Sequence, residues 1–168
     1  MAYSDLKGKT FIITGAASGM GRTTSLALAQ QGANVGLLDL RKPDNTLEEI
    51  EKIGGQALSL ACNVQDRAAI HAAVQAVSEK FGGIDGAANM AGYVGNQGLY
   101  GKGYALDIIQ DDDWDGVLAT NLNGLRIVFV RSSSSKTADP SLMPRASRGN
   151  TVLLTMLFIQ FLSGGSYP

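Results

Sequence analysis

The sequence predicts an α/β fold with a doubly wound parallel sheet. Short apolar and β-branched runs alternate with helical stretches between residues 10 and 89. A glycine-rich turn directly follows the first of these runs, and an acidic residue ends the second. This alternation is typical of strand–helix–strand units, whose strands pair in parallel beneath covering helices.

Four apolar runs are long enough to be strands. They are Thr10–Thr14, Asn34–Asp39, Ala57–Cys62 and Ile84–Asn89. Between them, Arg22–Gln31 is a predicted helix that ends before Gly32, and Leu47–Ile53 is a second that ends before Gly54. Glycine directly after an apolar periodic stretch is a frequent helix stop.

The clearest helix of the sequence is Arg67–Phe81. Its apolar residues Ile70, Val74, Val77 and Phe81 recur on one face. Asp66 precedes it as the expected N-cap. His71 lies one position off the apolar face, so we expect a surface histidine rather than a ligand or a base.

The second half of the sequence is harder to assign. Tyr93–Gly103 is a glycine-rich loop, and Asp111–Ile127 has the pattern of a helix. Ser132–Ser135 and Thr137–Arg148 show neither helical nor strand periodicity, so irregular chain is expected there. The predicted sheet is therefore incomplete after the fourth to fifth strand.

Composition narrows the function classes. A net charge of −1 over 168 residues gives no basic field for nucleic acid. Cys62 is the single cysteine, so we expect a buried structural thiol and no disulfide. The apolar run Thr151–Leu162 is too short to span a membrane. Met1–Lys7 lacks the apolar core of a signal peptide, so the expected location is cytoplasmic.

Charge also changes along the chain. Residues 131–168 hold four basic residues against Asp139, a net of +3, so the first 130 residues carry −1 − 3 = −4. Such a break in composition is a boundary signal. The sequence therefore predicts a domain over residues 1–130 and an aberrant tail, Ser-rich and then apolar, over 131–168.

The turn after the first strand has the chemistry of a phosphate site. Gly15 permits a tight turn, Gly19 lets a phosphate approach the backbone, and Gly21 lets helix and strand pack closely. A plain turn is the alternative interpretation. Asp39 ends the second strand 18 residues after Gly21, where a carboxylate binds a ribose diol and repels a 2′-phosphate. NAD is thus favoured over NADP, although Arg41 lies close to Asp39 in the sequence.

The spacing Gly15-x-x-x-Gly19-x-Gly21 resembles the short-chain dehydrogenase/reductase family. Further segments match that family over residues 5 to about 125: Lys7-Gly8-Lys9, Cys62-Asn63-Val64, Ala88-Asn89-Met90-Ala91-Gly92 and Asn121-Leu122-Asn123-Gly124. Asn63 stands where the family often has Asp, and Met90 replaces the second Asn of its Asn-Asn-Ala-Gly motif.

The resemblance implies a Rossmann-like, NAD(P)-binding domain over residues 1–130. It also implies an NAD(P)-dependent oxidoreductase that acts on a hydroxyl or carbonyl of a small molecule. The cofactor-binding residues it implies are Gly15, Ser18, Gly19, Met20, Gly21, Asp39, Asn63, Val64, Asn89, Ala91 and Gly92. It also implies a catalytic Asn121, which in the family holds a water of the proton relay. No metal site is expected. The family usually forms homo-oligomers, but this chain has an altered segment where the dimer helices would lie.

The family's chemistry also needs a Ser, a Tyr 13 residues later and a Lys four residues after the Tyr. This sequence has no such set, and Tyr167 has no Lys after it. The chain is therefore expected to be inactive as written. A non-catalytic dinucleotide-binding protein and a misfolded, truncated product are the alternatives.

A shift of the reading frame accounts for the missing set. From Thr137 onward, a shifted frame permits the family's fifth strand, with a Ser codon spanning Arg145 and Ala146. A Tyr codon then spans Phe158 and Ile159, and a Lys codon follows at the family's spacing. We therefore expect a frameshift, a splicing error or a gene-model error. A genuine divergent tail is the alternative.

Overall fold

The computed structural model describes residues 6–96 and 109–124, and the backbone of 152–155. These residues form the strands β1 (Thr10–Thr14), β2 (Asn34–Asp39), β3 (Gln56–Ala61), β4 (Gly86–Asn89) and β5 (Val152–Thr155). The bounds predicted for β1 and β2 are confirmed. β3 lies one residue earlier than predicted, and β4 begins two residues later.

The described helices are α1 (Gly19–Gln30), α2 (Asp44–Lys52), α3 (Arg67–Phe81) and α4 (Asp111–Leu118), the last continued by a π-helical segment, Ala119–Gly124. The bounds of α3 are as predicted, and Asp66 caps it by accepting hydrogen bonds from the N–H groups of Ala68 and Ala69. Both α1 and α2 begin three residues earlier than predicted, because polar or glycine-rich first turns carry no apolar periodicity.

All strand pairs in the sheet are parallel, and the strand order is β3-β2-β1-β4-β5. The chain moves outward from β1 to β3 and then crosses to the other side of β1 to form β4. The order therefore reverses between β1 and β4. In open α/β sheets, ligands bind at the carboxyl ends of the strands beside such a reversal.

Helices cover both faces of this sheet, as a doubly wound fold requires. One core contains Ile12, Leu38 and Ala87 from the strands, packed with Ile70, Val74 and Val77 of α3. The other contains Ile13, Leu37 and Ala88, packed with Ala29 of α1 and Ile50 of α2. Adjacent strand residues face opposite sides of a sheet, so each strand contributes to both cores. The predicted fold class is confirmed.

The described part of the tail is a fifth strand. β5 pairs with β4 from Gly86 opposite Val152 to Asn89 opposite Thr155. The sequence alone predicts no element here, since a short apolar run does not by itself distinguish strand from helix. Residues 131–151 and 156–168, with the predicted irregular chain and the shifted codons, lie outside the described residues.

The helix predicted over Asp111–Ile127 is helical from Asp111 to Gly124, and its last described turns widen to the π form. Residues 125–127 lie outside the described residues, as do residues 97–103 of the predicted loop. No helix within the described ranges has the length and apolar character needed to cross a membrane.

Candidate dinucleotide-binding site

A cavity of about 550 Å³ lies at the carboxyl ends of the first four strands. Each strand contributes the residues that follow it: Gly15 and Ser18–Gly21 after β1, Asp39 and Leu40 after β2, Cys62–Gln65 after β3, and Met90–Tyr93 after β4. Thr120 of the π-helical segment completes the lining. The cavity therefore coincides with the reversal of strand order.

The three glycines of the first turn are needed for different reasons. A side chain at Gly15 would approach the backbone of Met90 and Ala91 to 2.8 Å, and one at Gly21 would collide with the Gly15 carbonyl. Gly19 instead has a φ of +51° and open space beside it, with no atom from another part of the described chain within 4 Å of the place where a Cβ would stand. Gly15 and Gly21 allow the chain to pack, whereas Gly19 leaves the backbone open to a ligand.

The start of α1 lies at this open position. Gly19–Gly21 line the cavity, and Ser18, the N-cap residue, makes no side-chain hydrogen bond to the helix. The first N–H groups of a helix have no partner within the helix, and they carry the positive end of its dipole. This end of the cavity can therefore bind an anion.

Two neighbouring elements hold the turn in place. The Ala16 N–H donates to the Leu38 carbonyl at 3.1 Å, and the Ala17 N–H donates to Oδ2 of Asp39 at 3.0 Å. From α2, the buried Thr46 hydroxyl donates to the Ala16 carbonyl at 2.8 Å. Asp39 thus supports the turn with one carboxylate oxygen while it lines the cavity.

The end of β3 forms the next part of the lining. Asn63 Oδ1 accepts from the N–H of Gln65 at 3.0 Å, and Gln65 Nε2 donates to the Thr120 hydroxyl at 2.7 Å. Val64 is buried, and a side chain at Gly124 would come within 2.9 Å of it. The loop after β3 therefore packs directly against the π-helical segment.

Cys62 also lines the cavity but is a poor nucleophile. Its side chain is 3% exposed, as the sequence analysis expected of a structural thiol. Burial, with a smaller contribution from the Asp66 carboxylate, raises the pKa of the Cys62 thiol to about 11. The thiol is therefore protonated at neutral pH.

Thr14 joins the ends of β1 and β4. Its buried hydroxyl accepts hydrogen bonds from the N–H groups of Met90 and Ala91, each at 3.1 Å. Asn89 precedes them in β4 and is 4% exposed. Both polar atoms of its side chain are buried without a hydrogen-bond partner among the described residues. Asn89 is not part of the cavity lining, unlike the three residues after it.

Asn121 binds the loop after β4 from the π-helical segment. Its Oδ1 accepts from the Tyr93 N–H at 2.8 Å, and its Nδ2 donates to the Tyr93 carbonyl at 2.9 Å. The buried Asp113 of α4 accepts from the N–H of Asn96 at 2.8 Å. The Asn121 side chain therefore fixes the loop after β4 to the π-helical segment.

The structure brings ten of the twelve predicted site residues to one cavity. They are Gly15, Ser18, Gly19, Met20, Gly21, Asp39, Asn63, Val64, Ala91 and Gly92. Asn89 and Asn121 lie beside this lining but outside it. Thr14 and Thr46, whose hydroxyls hold the turns, are not among the predicted site residues. The sequence offers a signal for Thr14, because this residue ends a predicted strand directly before a glycine. No comparable sequence pattern marks Thr46.

Comparison with known proteins identifies the family. The family model described as enoyl-(acyl carrier protein) reductase matches residues 15–162, most of the chain. The chain belongs to the short-chain dehydrogenase/reductase family. The match continues past residue 130, where the sequence analysis placed the start of an aberrant tail.

Individual relatives agree with this assignment. The 3-oxoacyl-(acyl-carrier-protein) reductase of Thermotoga maritima is 38% identical over 122 residues, which cover 71% of this chain and 47% of that protein. An NAD⁺-bound xylitol dehydrogenase has a TM-score of 0.68 and 30% identity, covering 77% of this chain and 48% of its own. A variant of actinorhodin polyketide ketoreductase with NADPH has a TM-score of 0.69 and 30% identity, covering 80% and 49%.

The chain spans about half the length of the curated relatives it matches, 47% for the Thermotoga reductase. The solved structures include one with NAD⁺ and one with NADPH, so both dinucleotides occur among its structural neighbours. Within the described residues, His, Cys, Asp and Glu form no group of three or more that could hold a metal ion.

Proposed function

We propose that the cavity binds NAD and that the chain is an oxidoreductase of the short-chain type, directed at a hydroxyl or carbonyl of a small organic molecule. One observation carries the proposal. The uncapped start of α1, the open side of Gly19 and the Asp39 carboxylate converge on one cavity at the reversal of strand order. Each of these features suits a different part of a dinucleotide.

The residues present fit such a cofactor. A pyrophosphate needs N–H donors and a close approach to the backbone, which Gly19–Gly21 offer. A ribose diol needs acceptors, and Asp39 has a second carboxylate oxygen beyond the one bound to Ala17. The buried Val64 offers an apolar surface for an adenine ring.

The same carboxylate is the reason to favour NAD over NADP. Asp39 would repel a 2′-phosphate, and its contact with the turn keeps it at the cavity. Arg41, two residues on, is the feature that would favour NADP instead. Isothermal titration of NAD⁺ and NADP⁺ tests the preference, with ADP as a ligand that lacks the nicotinamide half. Equal or reversed affinity for NADP⁺ would remove this role of Asp39.

The reaction depends on the side of the cavity formed by the loop after β4 and the π-helical segment. A bound nicotinamide would carry the hydride, while the protein supplies placement and a path for the proton. We assign Asn121 to that path as a positioning residue, because it fixes the loop at Tyr93 and the π-helical turn together. The Ser–Tyr–Lys set is missing from the 168 residues. We therefore expect binding of NAD without turnover.

The nearest alternative is a non-catalytic dinucleotide-binding protein. The combination of a formed cavity with a missing catalytic set favours it specifically. A third outcome is a product that folds poorly. Turnover would indicate an active oxidoreductase, and neither binding nor turnover would indicate a product that folds poorly. Binding without turnover is expected both of an oxidoreductase that lacks its catalytic set and of a non-catalytic binding protein. Sequencing the transcript across codons 120–168 then tells whether the tail is encoded as written.

The names of two relatives support an expectation about the class of substrate. Their names specify a 3-oxoacyl group on a carrier protein and the polyol xylitol, one a carbonyl and the other an alcohol. We expect a substrate of this general chemistry and no nucleic acid or membrane partner. Assays with a panel of alcohols and a panel of ketones test the direction of the reaction.

A further inference from the structure

The peptide unit between Ala16 and Ala17 is held at both of its polar ends by side chains from other elements. Thr46 donates to its carbonyl oxygen at 2.8 Å, and Asp39 accepts from its N–H at 3.0 Å. A peptide unit is planar, so the direction of the carbonyl fixes the direction of the N–H. Thr46 and Asp39 are therefore linked through one rigid group.

The helix that carries Thr46 is itself fixed. In α2, Ile50 is fully buried in the core that it shares with Ala29 of α1, and Glu49 forms a bidentate ion pair with Arg22 of α1. Thr46 is fully buried, so its hydroxyl is shielded from competing water. The contact to the turn therefore starts from a rigid support.

We infer that Thr46 is a positioning residue for the cofactor, acting through the Ala16–Ala17 peptide on both the phosphate-binding turn and the Asp39 carboxylate. This rests on the proposed binding of NAD. Without the Thr46 hydroxyl, the peptide loses the contact that sets its plane. The Ala17 N–H then no longer holds Asp39 in the orientation that discriminates a ribose diol from a 2′-phosphate.

Three variants separate positioning from ordinary stabilisation. Thr46→Val keeps the shape and removes the hydroxyl, and Thr46→Ser keeps the hydroxyl. Ser59→Ala is the matched control, because it removes another buried hydroxyl bound to α2 without touching the turn. Thr46→Ala serves in place of the valine variant if that protein does not fold by circular dichroism.

Calorimetry with NAD⁺ and NADP⁺ gives the first test. Thr46→Val should weaken NAD⁺ binding on the order of tenfold, as expected for a lost buried hydrogen bond, and should reduce the preference over NADP⁺. Thr46→Ser should restore both values, and Ser59→Ala should lower the free energy of unfolding while leaving them unchanged. Unchanged affinity and preference in Thr46→Val would overturn the inference.

Amide hydrogen exchange in the free protein tests the role of Thr46 without requiring that the chain bind NAD⁺. If the parent chain does not bind NAD⁺, the proposed function fails. The exchange rate of the Ala17 N–H still reports whether the Ala16–Ala17 peptide is held by Thr46 and Asp39. Thr46→Val should speed that exchange at least tenfold relative to Ser59→Ala, as expected for an opened hydrogen bond. Equal rates in the two variants would overturn the positioning role.

Discussion

Two walls of the cavity are built in different ways. The phosphate wall comprises Gly15–Gly21 with Asp39, and its Ala16–Ala17 peptide is bound by side chains of β2 and α2. The β4 wall comprises Met90–Tyr93, which follow Asn89 at the end of β4. Its backbone is bound by Thr14 and Asn121, yet the Asn89 amide is buried without a partner among the described residues.

The difference indicates how far cofactor binding and catalysis each depend on residues that are distant along the chain. The phosphate wall is supported by residues between Thr10 and Thr46, close together in the chain. The β4 wall takes support from Asn121 and from β5, which begins 66 positions after Gly86 at its paired residue Val152. Changes late in the chain should therefore affect the chemistry more than they affect cofactor binding.

The largest expected effect concerns catalytic activity, which depends on the β4 wall and on the later part of the chain. The chain as written should show no dehydrogenase activity, whereas a version with its frame corrected near codon 126 should. Loss of a positioned proton donor costs roughly 10²–10⁴-fold in rate. NADH formation over a panel of alcohols measures both proteins. Turnover by the uncorrected chain would defeat the expectation, as would a transcript without shifted Ser, Tyr and Lys codons.

The next largest effect lies on the phosphate wall. Gly19→Val should abolish measurable NAD⁺ binding, a loss on the order of a hundredfold, because the side chain fills the space a pyrophosphate needs. Gly8→Val is the matched control, since Gly8 also has a positive φ, of 75°, and open space around it. Both variants should lose similar stability, and only Gly19→Val should lose binding. Retained binding in Gly19→Val would contradict the placement of the phosphate.

A smaller effect is expected at Asp39. Asp39→Asn keeps an acceptor for the Ala17 N–H but removes the charge, so it should narrow the gap between NAD⁺ and NADP⁺ by about 1–3 kcal/mol. Asp39→Ala also releases the turn, so it should weaken both cofactors in addition. Titration of the two variants with both cofactors separates charge from support. An unchanged gap in Asp39→Asn would show that the carboxylate does not discriminate.

The phosphate wall was more predictable from the sequence than the β4 wall for a physical reason. Alternation, helix periodicity and glycine stops are local signals, and they are sufficient for the bounds of β1, β2 and α3. The position of β5 depends on pairing with β4, and no local sequence pattern indicates the π-helical turn at Asn121. The Thr46 contact could not be anticipated, because it joins residues 30 positions apart that carry no shared pattern.

The burial of Asn89 and the close packing at Gly36 are further features that the sequence alone does not predict. A side chain at Gly36 would come within 2.6 Å of Val77, so glycine in the middle of β2 allows α3 to lie against the sheet. In the sequence, Gly36 interrupts an apolar run without indicating what it faces. Such requirements belong to the contact between two elements, and neither element shows them alone.

The smallest expected effect is a pH dependence at Cys62, which lies beside the phosphate wall. Burial raises the pKa of its thiol from 9.0 to about 11. As the pH rises above 9, the thiol ionises first in the unfolded chain, which then binds fewer protons than the folded protein. The stabilisation that Cys62 provides below pH 9 is therefore lost between about pH 9 and pH 11, by at most about 3 kcal/mol at 1.36 kcal/mol per unit.

Urea denaturation of the parent and of Cys62→Ala at pH 7, 9 and 10.5 isolates this contribution, because other groups titrate alike in both proteins. The difference in free energy of unfolding between the two should be constant up to pH 9 and then fall. A difference that stays constant to pH 10.5 would mean that the thiol ionises as readily in the folded protein as in the unfolded chain. Burial would then not disfavour the thiolate at this position, and the end of β3 would be accessible to water in the folded protein.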